Sequence, residues 1–211
     1  MELLLLLGLI SVVLLASLST NRKHANKDAI KKRWYPDSKE KISTHVNNKT
    51  EYRAKQEPSS ETTHKLKKVN VEYVIDGDTV VVSDLTCKFK IRLDAIDCPE
   101  DGQHWGDVAT YGLIKLIGGC SIYIENHGTD AYDRTLATIY IRQNNGADLM
   151  NVNERMVTLG HAWVMRRYYG HLPVERRNQL NRLERWAKSK KIGLWQTSNP
   201  IPPWQWRNAG P

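Results

Sequence analysis

The chain of 211 residues has room for one sizeable domain plus extensions. Its hydrophobic content of 40% is slightly low for a globular domain, so part of it lies outside a packed core. The net charge of +8 is unevenly placed, with 14 Lys/Arg against 6 Asp/Glu in residues 21–70 and 17 against 16 in residues 71–211. The three cysteines, Cys87, Cys98 and Cys120, show no CxxC or Cys/His spacing, which excludes a cysteine-based zinc module and a full disulfide framework. They read mainly as small buried hydrophobes, with a Cys87–Cys120 pair left open.

Residues 1–19, MELLLLLGLISVVLLASLS, are uncharged from Leu3 to Ser19. The run is near the lower limit for crossing a bilayer and long for the apolar core of a signal peptide, so signal peptide and membrane anchor both stay open. Arg22 and Lys23 follow, a flank that favours the cytoplasm. Residues 20–69 read as a basic flexible linker, either a solvated spacer or an arm for nucleic acid; Trp34-Tyr35-Pro36 is its one apolar cluster.

From about residue 70 the texture changes. The stretch VEYVIDGDTVVVSD predicts two short strands around an Asp-Gly turn. In CKFKIRLDAID, Cys87, Phe89, Ile91 and Leu93 alternate with Lys88, Lys90 and Arg92, which predicts a half-buried strand. A helix is expected over 104–118, with Val108, Leu113, Leu116 and Ile117 inward and Gly118-Gly119 ending it. SIYIEN and LATIYI are two more strands, joined by a polar loop at 127–134. Residues 148–159 predict an amphipathic helix with Asp148 as N-cap and Gly160 past its end. Pro173 opens a further helix to about Lys191, with Val174, Leu180, Leu183 and Ala187 toward the core and Gly193 able to cap its end. The tail 200–211, rich in Pro and Trp, is expected to be extended, its Trp side chains packing on the domain. Five strands with helices between and after them predict an α+β fold built on a small closed barrel of the oligonucleotide-binding (OB) type.

The polar residues near the strand ends carry the functional argument. Asp78 and Asp97 can offer two carboxylates from different strands, and the backbone carbonyl of Cys98 a third oxygen, which suits a hard cation such as Ca²⁺. Cleaving a phosphodiester needs positive charge on the phosphoryl oxygens and an aimed water. Two arginines, Arg92 and Arg134, suit the first need, and a nearby carboxylate the second. A module that only binds polyanions would gain nothing from acids clustered beside its arginines.

The stretches VIDGDTVVV, KIRLDAIDCPE, YDRTLATIYI, LMNVNERMVTLGHAWV and KIGLWQ resemble the staphylococcal-nuclease (thermonuclease) family over about residues 71–197. The resemblance implies a five-stranded OB-type barrel with three helices over residues 70–199 and Ca²⁺-dependent endonuclease hydrolysis of DNA and RNA with little sequence specificity. It makes Asp78, Asp97 and the Cys98 carbonyl the metal ligands. Asp76 is placed behind them, near metal-bound water. Arg92, Glu100 and Arg134 become catalytic, and Tyr132 a contact to a terminal phosphate. Cys98 stands where the family usually has threonine, Ala131 where a lysine is found, and Arg166-Arg167 where a nucleotide-packing tyrosine is common. The alternative is a catalytically silent nucleic-acid-binding barrel of the same fold. A monomer acting outside the cytoplasm is expected, secreted or held to a membrane through residues 1–19.

Overall fold

The computed structural model describes residues 66–143 and 148–209. The predicted signal or anchor segment, Trp34-Tyr35-Pro36 and nearly all of the predicted linker lie outside these residues. No helix among the described residues is long and apolar enough to cross a membrane.

The first strand, β1 (Lys67–Asp76), starts inside the stretch assigned to the linker. It pairs antiparallel with β2 (Thr79–Ser83), and β2 with β3 (Lys88–Leu93). On its other side β1 pairs with β5 (Ser121–Thr129), and β5 with β6 (Thr135–Arg142). A parallel pairing of β3 with β6, Ile91 opposite Thr135 and Leu93 opposite Ala137, closes the five strands into a barrel. Closure covers the edge of β3 and the near half of β6 that an open sheet would expose. The inward residues are β-branched or leucine: Val69, Val80, Val82, Ile91, Leu93, Ile122, Ile124 and Ile139 are all buried.

Beyond the five strands the structure adds elements. β4 (Ile96–Asp97) pairs with β8 (Trp163–Val164), setting Asp97 opposite Trp163. β7 (Leu149–Asn151) extends the sheet from the far half of β6. This corrects the expected helix over 148–159. Residues 149–151 fill the β6 edge that β3 leaves open, and the helix α2 covers only Val152–Thr158. Its N-cap is Asn151, whose side chain accepts from the Glu154 N–H at 3.1 Å, in place of Asp148.

Two further helices lie close to their expected spans. α1 (Gly106–Ile117) buries Ala109, Leu113 and Ile117 at intervals of four. Val108, expected inward, is 42% exposed because it sits one residue, about 100°, off that stripe. α3 (Val174–Ser189) buries Leu180, Leu183 and Ala187, while Val174 in its first turn is exposed. The tail is not extended: after two prolines it forms α4 (Pro203–Ala209). Proline is well suited to a helix's first position, where its missing N–H has no partner to lose. The expected packing of tail tryptophans is present, with Trp204 edge-on to Trp163 at 6.4 Å. Cys98 is buried, but Cys87 and Cys120 are exposed and free, against the expectation of buried thiols.

Gly160 follows α2 with φ 64° and a backbone pressed against the Gly193 turn. A methyl group there would meet the Ile192 carbonyl oxygen at 2.2 Å. Gly119, with φ 70°, has open space around the same position. Gly119→Ala should therefore cost only the left-handed strain, roughly 1–2 kcal/mol. Gly160→Ala should cost more than about 3 kcal/mol in urea unfolding, because strain and backbone overlap add. Equal losses would show that the close contact does not matter.

Candidate active site at the acidic corner of the barrel

The Asp-Gly-Asp turn between β1 and β2 sits at one end of the barrel. Gly77 is needed there for space: a Cβ would lie 2.8 Å from the Cys98 Cβ and 3.0 Å from that of Ala109. The turn is thus pressed against the Asp97-Cys98 segment. The Cys98 backbone N–H donates to Asp78 Oδ2 at 2.7 Å, and its thiol reaches the Gly77 carbonyl at 3.1 Å. Burial, helped by neighbouring Asp78, pushes the Cys98 thiol well above its ordinary pKa, so it is neutral and presents no thiolate.

Arg92 ties the corner together. Thr79 faces Arg92 across β2 and β3, which brings Asp78 within reach. The guanidinium lies 2.9 Å from Asp78 Oδ2 and 2.6 Å from Asp97 Oδ1. It also donates to the Ile96 carbonyl at 3.0 Å. Burial opposes its charge, but Asp78 and Asp97 outweigh burial and raise its pKa. Asp76 stands behind, accepting the Asp78 backbone N–H at 3.0 Å.

Burial pushes the Asp78 carboxyl up to about 6 against the pull of Arg92, with Asp76 adding to the rise. Burial raises Asp97 as well, against Arg207 and Arg92. Four carboxylates, Asp76, Asp78, Asp97 and Glu100, gather at this corner around two guanidiniums, Arg92 and Arg207. The donors are all oxygens and negative charge is in surplus. That set fits a hard divalent cation such as Ca²⁺.

Arg207 is the residue that sequence reasoning missed. From α4 it reaches Asp97 Oδ2 at 2.9 Å and also pairs with Glu100. The tail is docked by Trp204 on Trp163 and by Gln103, whose amide donates to the Ile201 carbonyl at 2.6 Å. The only sequence signal was a basic residue one turn past Pro203.

The other predicted residues lie in the β5–β6 loop. Parallel pairing of β3 and β6 puts Arg92 opposite Leu136, two residues from Arg134. Arg134 is held within its own loop by Asp130, at 2.7 and 2.8 Å. Tyr132 is 81% exposed, with the Arg134 guanidinium 5.4 Å from its ring. The structure thus brings together Asp76, Asp78, Arg92, Asp97, Cys98 and Glu100. It sets Tyr132 and Arg134 on the adjoining loop.

A sequence profile described as "Staphylococcal nuclease homologue" matches residues 90–197. The chain belongs to that family. It is 37% identical over 137 residues to an "Uncharacterized endonuclease" of Escherichia coli, covering 64% of this chain and 81% of the relative. It is 35% identical over 139 residues to a "Micrococcal nuclease" of Shigella flexneri, covering 64% of this chain and 78% of that one. A "Probable staphylococcal-like nuclease CAN3" of Oryza sativa subsp. japonica is 37% identical over 123 residues, 58% of this chain and 29% of its own. The closed barrel with flanking helices is consistent with this nuclease family, as the sequence predicted.

Removing Arg92 would leave two buried carboxylates without their shared partner. Arg92→Ala should destabilise the domain by about 3–5 kcal/mol in metal-free buffer. Chemical denaturation at neutral pH checks this, and an unchanged midpoint would mean the ion pairs contribute nothing net.

Proposed function

We propose that this nuclease-family chain is a Ca²⁺-dependent endonuclease that hydrolyses DNA and RNA phosphodiesters with little sequence preference. The observation that carries the reading is the meeting of Asp78 and Asp97, from two separate strand ends, on the single Arg92 guanidinium. Asp78, Asp97 and the Cys98 carbonyl would hold the ion. When bound, Ca²⁺ supplies positive charge against the phosphoryl oxygens that gain charge in the transition state.

The remaining roles fall to the chain's own groups. Arg92 and Arg134 donate N–H groups to the phosphoryl oxygens, each after releasing part of its present carboxylate pairing. Glu100, at the rim, orients the attacking water and accepts its proton. Tyr132, exposed beside Arg134, offers its hydroxyl to a terminal phosphate. Calcium sites of extracellular modules bind at about 10⁻⁴–10⁻³ M, which favours work outside the cytoplasm.

The purified chain should cleave both DNA and RNA in added Ca²⁺ and stop when chelator is added. Glu100→Ala should slow cleavage about a hundredfold or more. Binding without cleavage in Ca²⁺ would favour the silent barrel, and full activity in excess chelator would remove calcium from the mechanism.

Arg207 competes for the same carboxylates, so a cation can use Asp97 fully only after Arg207 lets go. Arg207→Ala should bind Ca²⁺ more tightly than the unaltered chain in a calorimetric titration at low salt. Equal affinities would mean that the C-terminal helix releases its arginine at no cost.

A further inference from the structure

Away from the acidic corner, one group of side chains has no part in the chemistry above. Asp94, His127 and His171 each present a donor atom, and these atoms lie within 4.8 Å of one another. They come from three separate elements: the β3–β4 turn, β5, and the loop ahead of α3. Asp94 is buried, His127 half-buried and His171 exposed at the rim.

Two features show how local structure assembles the group. The β5–β6 register slips between Asn126 and Gly128, so His127 is the extra residue of a β-bulge. Bulges re-aim side chains, here toward the loop that carries His171. The two rings lie 5.3 Å apart, centre to centre. Asp94 is fixed through its backbone, its N–H donating to Ala137 at 2.9 Å and its carbonyl accepting from Asn153 at 2.9 Å. Its Oδ2 lies 2.8 Å from His171 Nε2.

We propose that Asp94, His127 and His171 form a binding site for a first-row transition-metal dication of the Zn²⁺ kind. Two imidazoles and one carboxylate suit such an ion, whereas a Ca²⁺ site is built from oxygens. Tetrahedral zinc with bonds of about 2.0–2.1 Å needs donors about 3.4 Å apart, within the 4.8 Å that encloses the three donor atoms here. Thr138 Oγ1 lies 2.9 Å from His127 Nε2, the outer partner that sets the ring of a ligating histidine. Burial lowers the pKa of His127 and keeps the ring neutral, as a ligand must be. Arg176, a cation whose charge acts on His127, is engaged by Glu125 at 2.8 Å and by Tyr140. His171 is exposed, so water can reach the ion as a fourth ligand. The bound ion would pin the loop ahead of α3 to the turn that lies between Arg92 and Asp97.

The test is metal binding by the full chain, first stripped with chelator, with Zn²⁺ and Co²⁺ as probes. The exposed thiols of Cys87 and Cys120 are shared by all variants, so the comparison with His171→Gln and His127→Gln isolates the site. The unaltered chain should bind one more equivalent of Zn²⁺ than either variant, and Zn²⁺ should raise its Tm by more than it raises theirs. Because His171 is exposed, His171→Gln should keep its metal-free fold by circular dichroism. The Co²⁺ form should show visible d–d bands, without thiolate charge transfer, that His171→Gln loses. Equal Zn²⁺ stoichiometry and equal Tm shifts in the unaltered chain and His171→Gln would overturn the site and leave an ordinary His–Asp contact. Neither outcome bears on the calcium reading, which uses other residues.

Discussion

The arrangement of this domain turns on one guanidinium placed between two buried carboxylates. Asp78 is 6% exposed and Asp97 1%. Two ionised groups so deeply placed are costly unless paired and hydrogen-bonded. Arg92 is the partner both share, and the neighbouring backbone completes the satisfaction through the Cys98 N–H. The pairing of β2 with β3 makes this meeting possible. β2 must lie beside β3 to bring Asp78 to Arg92, and β3 must end where β4 begins to bring Asp97. Replacing the cluster with apolar side chains would remove a desolvation cost, so its presence is better explained by chemistry than by stability.

The acidic corner is connected to the helical side of the domain through β4 and β8. Asp97 faces Trp163 in that short ladder. Next to Trp163, the Val164 N–H donates to Glu184 on α3 at 2.9 Å, and Glu184 also holds Arg166 at 2.6 Å. Burial pushes the Glu184 carboxyl upward, but Arg166, the Val164 N–H and Lys188 outweigh it and hold it below its ordinary pKa. Its stabilising charge is therefore present at neutral pH and is lost as pH falls through the lowered value. A further buried carboxylate thus anchors the strand that backs the first pair.

Much of this was legible in the sequence because strand alternation is a local signal. Ile91 and Leu93 point inward as the pattern required. The Asp-Gly-Asp turn was legible too, but the reason for its glycine was not. Gly77 is there because Cys98 and Ala109 pack against it, a fact about residues far along the chain. The same limit explains the other departures. Residues 149–151 become strand because β6 has a free edge, which no property of those residues announces. Val108 and Val174 are exposed because the inward stripe on each helix is set by what the helix meets. Asp94, His127 and His171 gave no spacing signal, since their proximity depends on a bulge and on barrel closure.

Arg207 is the clearest case of long-range placement, and it bears on how the corner behaves. It lies 110 residues from Asp97, yet its helix docks on Trp163, the residue that faces Asp97 across the β4–β8 ladder. The tail therefore packs on the same short ladder whose other strand supplies the carboxylate it pairs with. Arg207 is only partly buried, so water weakens its attraction to Asp97 and Glu100 compared with that of enclosed Arg92. A divalent ion carries twice the charge of a guanidinium and can approach the carboxylate oxygens more closely. The balance of charge at the corner thus favours exchange of Arg207, the outer and more hydrated partner, before that of Arg92, which is enclosed between Asp78 and Asp97.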